Sequence, residues 1–137
     1  MSLLEKKRAK IKALSMVIPD DRSALWPYYN IFLDYIEAHP STSYYYLSKI
    51  IQITNCESVA IALDIVNFFS LDDGIITVTY CYFDPDGSDI EISIDDFLQC
   101  ISDPQFVPVS LDTGVEIDCY TRERVGFYCN TVDDIFE

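Results

Sequence analysis

After Arg22 the chain carries only three cations, Lys49, Arg122 and Arg124, and its 137 residues include a single histidine, His39. Clustered Lys and Arg are what neutralise phosphate, so this shortage argues against direct binding of nucleic acid by most of the chain. One imidazole also leaves the five cysteines, Cys56, Cys81, Cys100, Cys119 and Cys129, without histidine companions, and no pair shows the C-x-x-C spacing of a zinc site. No metal and no cofactor are expected. Glycine is scarce at four residues, and the P-loop, G-x-S-x-G and H-E-x-x-H patterns do not occur. No catalytic residue is assigned, and the protein is read as not an enzyme. Apolar runs fall far short of the roughly 20 residues that span a bilayer, and residues 1–12 lack the apolar stretch of a secretory signal. A cytoplasmic protein with no membrane contact is expected, its cysteines reduced and buried as structural thiols.

What the chain does have is apolar and acidic residues. It is 50% hydrophobic, 14% aromatic and 23% charged, enough for one domain with a core and too structured in composition for intrinsic disorder. The net charge of −14 is unevenly placed: residues 1–22 hold six Lys or Arg against three acids, a net +3, which leaves −17 for residues 23–137. An acidic body with a basic arm suits contact with a basic protein surface, or imitation of nucleic acid.

Periodicity divides the chain into a helical part and a strand part. Residues 2–18 predict a basic, loosely amphipathic helix with Leu3, Leu4, Ile11, Leu14 and Ile18 among Lys6, Lys7, Arg8, Lys10 and Lys12, ended by Pro19, Asp20 and Asp21. Ser23 offers a cap for a second helix, in which Trp26, Tyr29, Phe32, Leu33 and Ile36 recur at three- and four-residue steps before His39 and Pro40. Ser41, Thr42 and Ser43 offer caps for a third, with Tyr44, Leu47, Ile50 and Ile51 on its apolar face. Thr54 and Glu57 have the spacing of a capping box for a fourth, whose buried face is Val59, Leu63, Val66, Phe68 and Phe69. After the Asp72-Asp73-Gly74 turn the period changes to two. Ile75 to Phe83, the turn Asp84-Pro85-Asp86-Gly87 and Ile90 to Ile94 predict a β-hairpin. Asp95 and Asp96 suit the start of a short helix through Phe97, Leu98 and Ile101, broken at Asp103-Pro104. A second hairpin is expected over Phe106–Val109 and Val115–Cys119, then a strand over Arg124–Cys129 and an acidic tail from Asp133 to Glu137.

Three helices followed at once by a hairpin resemble a winged helix, with residues 43–69 as the second and third helices and 75–94 as the wing. The likeness covers residues 24–101, and the passage from Val59 through Asp73-Gly74 into Ile75 to Tyr82 resembles that superfamily's recognition helix, acidic-glycine turn and first wing strand. The segment from Cys81 to Cys129 is similar to the small β extension that follows such domains in bacterial conflict and anti-phage proteins. In those relatives the wing often carries paired cysteines, whereas Tyr82-Phe83-Asp84 follows Cys81 here, so the metal is not carried over. The expectation is an α+β protein: a basic arm over residues 1–22, a winged-helix-like domain over 23–101 and a small β extension with an acidic tail over 102–137. Deleting residues 2–18 is expected to leave the rest folded.

The superfamily's usual role is reading DNA, but residues 55–69 contain no Lys or Arg and the wing offers Asp84, Asp86, Asp89 and Glu91 where phosphate would need cations. A winged helix turned to protein contact is the expectation. The wing carboxylates do not have the spacing of an EF-hand loop and read as an ordinary turn, and the pairs Asp72-Asp73, Asp95-Asp96 and Asp133-Asp134 are what an acid-rich surface produces. His39, before Pro40, reads as a helix-end cap. Of Tyr44, Tyr45 and Tyr46, one helix can bury only one or two, which places at least one at an interface or the core edge. The basic arm is expected first to fold back on its own acidic body, second to meet another copy of the chain or another subunit, and third to lie on an anionic membrane or nucleic acid, for which five cations are few. Lys6, Lys7, Arg8, Lys10, Tyr44, Tyr45, Asp84, Asp86 and Asp89 are thus the candidate partner-binding residues. The implied function is a non-enzymatic binding subunit or adaptor for a larger protein with a basic surface, and the resemblance implies a bacterial defence setting. The alternatives are an immunity or antitoxin-like inhibitor of a basic nuclease or toxin, and a transcription regulator.

Overall fold

The computed structural model describes residues 1–17 and 25–137; Ile18, Pro19, Asp20, Asp21 and Ser23, expected to finish the first helix and cap the second, lie outside the described residues. The protein is α+β. Among the described residues there are five α-helices and four strands: α1 (Leu3–Val17), α2 (Trp26–Ala38), β1 (Tyr44–Tyr46), α3 (Leu47–Thr54), α4 (Val59–Ser70), β2 (Ile76–Phe83), β3 (Asp89–Glu91), α5 (Ile94–Ser102) and β4 (Val125–Thr131). The strands pair in the order β1-β4-β2-β3. Two compact units divide the chain, residues 1–78 with 129–137 and residues 79–128. These divisions fall inside β2 and β4. No single helix among the described residues is long and apolar enough to cross a membrane.

In the first unit, α1 opens on a capping box that sequence analysis overlooked. Ser2 Oγ accepts from the Glu5 N–H at 3.1 Å and donates to Glu5 Oε1 at 3.1 Å. On this helix Leu4 and Ile11 are buried, and the Leu4 N–H donates to the Ile135 carbonyl at 3.2 Å. Within the acidic C-terminal segment Ile135 is buried, and this bond ties it to α1. In α2, Pro27 stands in the first turn, where a missing N–H costs nothing. Its Tyr29, Phe32, Leu33 and Ile36 are buried, as their helical spacing predicts.

Tyr44–Tyr46 is a strand and not the first turn of the third helix, so α3 begins only at Leu47. The reason is burial at a period of two: Tyr45 is fully buried while Tyr44 and Tyr46 are 42% and 44% exposed. Next to β1, the Thr131 N–H donates to the Ser43 carbonyl at 2.9 Å. Thr54 does not cap the fourth helix. Its hydroxyl donates to the Ile50 carbonyl at 2.8 Å inside α3, which ends at Asn55 in the left-handed region, φ 55°. The cap of α4 is Ser58, whose Oγ accepts from the Ile61 N–H at 3.2 Å. With the start fixed there, the buried stripe is Ala62, Ile65, Val66 and Phe69; Val59 is exposed, and Leu63 and Phe68 are half-buried. Asp72 and Asp73 both take positive φ, and Gly74 is required because a Cβ would lie 2.4 Å from the Ser70 carbonyl oxygen.

In the second unit the expected hairpin forms, with Cys81 opposite Glu91, Tyr82 opposite Ile90 and Phe83 opposite Asp89 in antiparallel register. Its second strand stops at Glu91, short of Ile94, because Ser93 Oγ accepts from the Asp96 N–H at 3.0 Å and starts α5 instead. The second hairpin shrinks to one bridge, Val109 with Glu116, and Arg122–Arg124 make a single 3-10 turn before β4. In the strand order β4 lies between β1 and β2.

Candidate partner-binding surface

The cations of α1 point mostly at their own chain. Lys7 is 1% exposed, and its Nζ donates to the main-chain carbonyls of Phe68 and, at 2.7 Å, Leu71 while lying 4.6 Å from the centre of the Phe68 ring. These carbonyls close the C-terminal end of α4, where partial negative charge collects, so a buried ammonium has both acceptors and a favourable dipole. Burial, aided by Lys10, lowers the Lys7 amine to about 8 against the pull of Asp72 and Asp73. Lys7 is therefore corrected from a partner contact to an internal strut. Arg8 bridges Asp34 at 3.0 Å and Glu37 at 2.8 Å on α2, and Lys10 lies 3.9 Å from Asp72. Lys6 is exposed. Of the three arrangements considered for the basic segment, these contacts are those of folding back on its own acidic body.

The tyrosines separate in the same way. Tyr45 is corrected to a core residue, with its ring centre 5.4 Å from that of Phe32 and 6.1 Å from that of Tyr35, and Lys49 Nζ over the ring at 5.2 Å. Its hydroxyl has no hydrogen-bond partner among the described residues, and burial pushes its pKa up to about 12. Tyr44 and Tyr46 face outward as a pair with ring centres 6.1 Å apart.

In the second unit the candidate acids shape a turn as well as carrying charge. Asp84 Oδ1 accepts from the Asp86 N–H at 3.1 Å, and Asp86 Oδ1 accepts from the Ser88 N–H and hydroxyl at 2.8 and 2.6 Å. The bonds from Ser88 hold the Asp86 carboxyl below the usual carboxylate range. Gly87 takes a φ of 92° and completes the turn. Asp86 and Asp89 are exposed and Asp84 is half-buried. This unit's only two cations are occupied by main chain: Arg122 Nε donates to the Cys100 carbonyl at 2.9 Å, with a terminal nitrogen on the Ile101 carbonyl, and Arg124 donates to Phe83 at 3.2 Å. Among the described residues no group of three or more His, Cys, Asp or Glu stands together to hold a metal.

Four cysteines are buried and free, and burial pushes Cys81 and Cys129 up to about 12. Cys119 is exposed at a φ of 52°, in a loop held by Tyr82, whose hydroxyl accepts from the Thr121 N–H at 3.0 Å. One surface was missed altogether. Phe97 and Cys100 face the core from α5, and Ile94, Leu98 and Ile101 form a second, exposed apolar face on the same helix. Five apolar positions in a nine-residue helix exceed one buried stripe, and that excess was the available signal. No protein-family model, curated protein or solved structure matches the chain.

Proposed function

We propose that this protein is a non-enzymatic binding subunit, a winged-helix-type module whose acidic hairpin docks on a basic surface of a larger protein in the cytoplasm. The observation that carries it is the use of the second unit's cations. Arg122 and Arg124 both donate to main-chain carbonyls of this unit, while Asp86 and Asp89 are exposed and Asp84 half-buried around the hairpin turn, so these carboxylates belong to a unit whose own arginines are committed elsewhere. Such a surface speeds encounter with a basic partner and repels phosphate. The winged-helix assignment is supported by the helices α2, α3 and α4 preceding the hairpin of β2 and β3, with the short strand β1 between α2 and α3. Four buried, unpaired thiols favour a reducing compartment. The bacterial defence setting rests on the resemblance of the Val59–Tyr82 passage alone.

The test is affinity capture of the full chain from its native cell at low and moderate salt, with the mass of the eluted complex. A larger protein that needs this chain for its activity, released when Asp84 and Asp86 are changed to Asn, is the expected result. A small basic enzyme silenced in a one-to-one complex would make the protein an inhibitor, and elution alone or only with DNA would overturn the proposal.

A further inference from the structure

We propose that the exposed face of α5 is a second contact, one that receives an amphipathic helix with basic flanks from the partner; this rests on the protein-binding role proposed above. Ile94, Leu98 and Ile101 lie at i, i+4 and i+7 on one face of α5 and are 49%, 50% and 41% exposed. Scattered single apolar residues on a surface are ordinary, but three large ones aligned along a helix make the stripe that receives another helix.

The helix is held ready for it. Ser93 caps its first turn, Asp96 Oδ2 accepts from the Val109 N–H at 3.1 Å, and Arg122 closes its last carbonyls. A surface fixed before binding loses little conformational entropy when a partner arrives.

Charge selects the occupant. Residues 79–128 hold eleven Asp or Glu against two arginines, a net −9, and Asp95 stands exposed in the first turn of α5, next in sequence to Ile94. A second copy of this chain would bring the same negative charge to the contact, whereas a helix with Lys or Arg beside its Leu or Ile stripe supplies both the apolar match and the opposite sign.

The experiment titrates full-length protein at physiological salt with two peptides of the same Leu and Lys composition. One has its leucines on one helical face and the other has them dispersed. The striped peptide is expected to bind about tenfold more tightly and to shift the amide resonances of residues 94–102, and Leu98→Ser with Ile101→Ser removes that preference while leaving the thermal melt unchanged. Equal binding of the two peptides overturns the proposal, as does a dimer of the chain that the same variant dissociates. If binding maps to the hairpin turn and is lost with Asp84→Asn and Asp86→Asn, only the α5 contact fails and the acidic-hairpin role stands. If neither peptide binds at all, both fail.

Discussion

The amine of Lys7 in α1 donates to the carbonyl of Leu71, just past the end of α4, across 2.7 Å and a sequence separation of 64 residues. It is a charged side chain placed in the core to terminate a helix. Because its pKa falls from 10.5 to about 8 on folding, the unfolded chain binds more protons at this site between those values. Stability contributed through Lys7 therefore rises as the pH climbs from about 8 towards 10.5. Urea denaturation of wild type and Lys7→Met across that range should show the wild type gaining roughly 2 kcal/mol relative to the variant. A constant difference would mean that the amine is not desolvated.

Removal of α1 should unfold the first unit or leave it marginal. Leu4 and Ile11 are buried, and Leu4 bonds to Ile135. The single change Ile11→Ala should cost about 2–4 kcal/mol in chemical denaturation, the range of a core truncation that leaves a cavity. Cooperative unfolding of a chain lacking residues 2–17 at an unchanged midpoint would show that the helix is peripheral.

Tyr45→Phe should be neutral, or stabilising by up to about 1 kcal/mol, since it removes a buried hydroxyl without a partner and keeps the ring. Tyr45→Ala should cost about 3–5 kcal/mol, while Tyr46→Ala on the exposed side stays within about 1 kcal/mol. Thermal melts of the three variants separate the inward tyrosine from the outward one.

Ser58→Ala should lose about 1 kcal/mol through α4, because no other side chain takes the Ile61 N–H. Glu57→Gln should lose nothing measurable. The reverse ranking would restore Thr54 and Glu57 as the cap.

Some elements could be read from the sequence: the buried face of α2 follows its helical period, β-rich composition marks the strand from Ile76 to Phe83, and α5 ends before the expected break at Asp103-Pro104, although its cap at Ser93 was not foreseen. Tyr44–Tyr46 could not, since three residues are too few to distinguish a period of two from one of 3.6. Thr54 and Glu57 satisfy the spacing of a cap, yet Thr54 is inside α3 and only the chain geometry shows that. Lys7 was unreadable for a different reason. A lysine among five cations looks solvated, and what buries it is a pair of carbonyls more than sixty residues away. The acidic hairpin turn was legible from its residues, while the second apolar face of α5 depends on what the rest of the unit leaves uncovered.

The loop around Cys119 makes the native sequence its own labelling site. Four thiols are sealed in the core, two of them raised to about 12, so a maleimide dye or spin label should attach once per chain, at Cys119, with no cysteine removed beforehand. A reporter there sits in the same unit as the hairpin turn and α5, and its fluorescence or line shape can follow a partner's arrival on an otherwise unaltered protein.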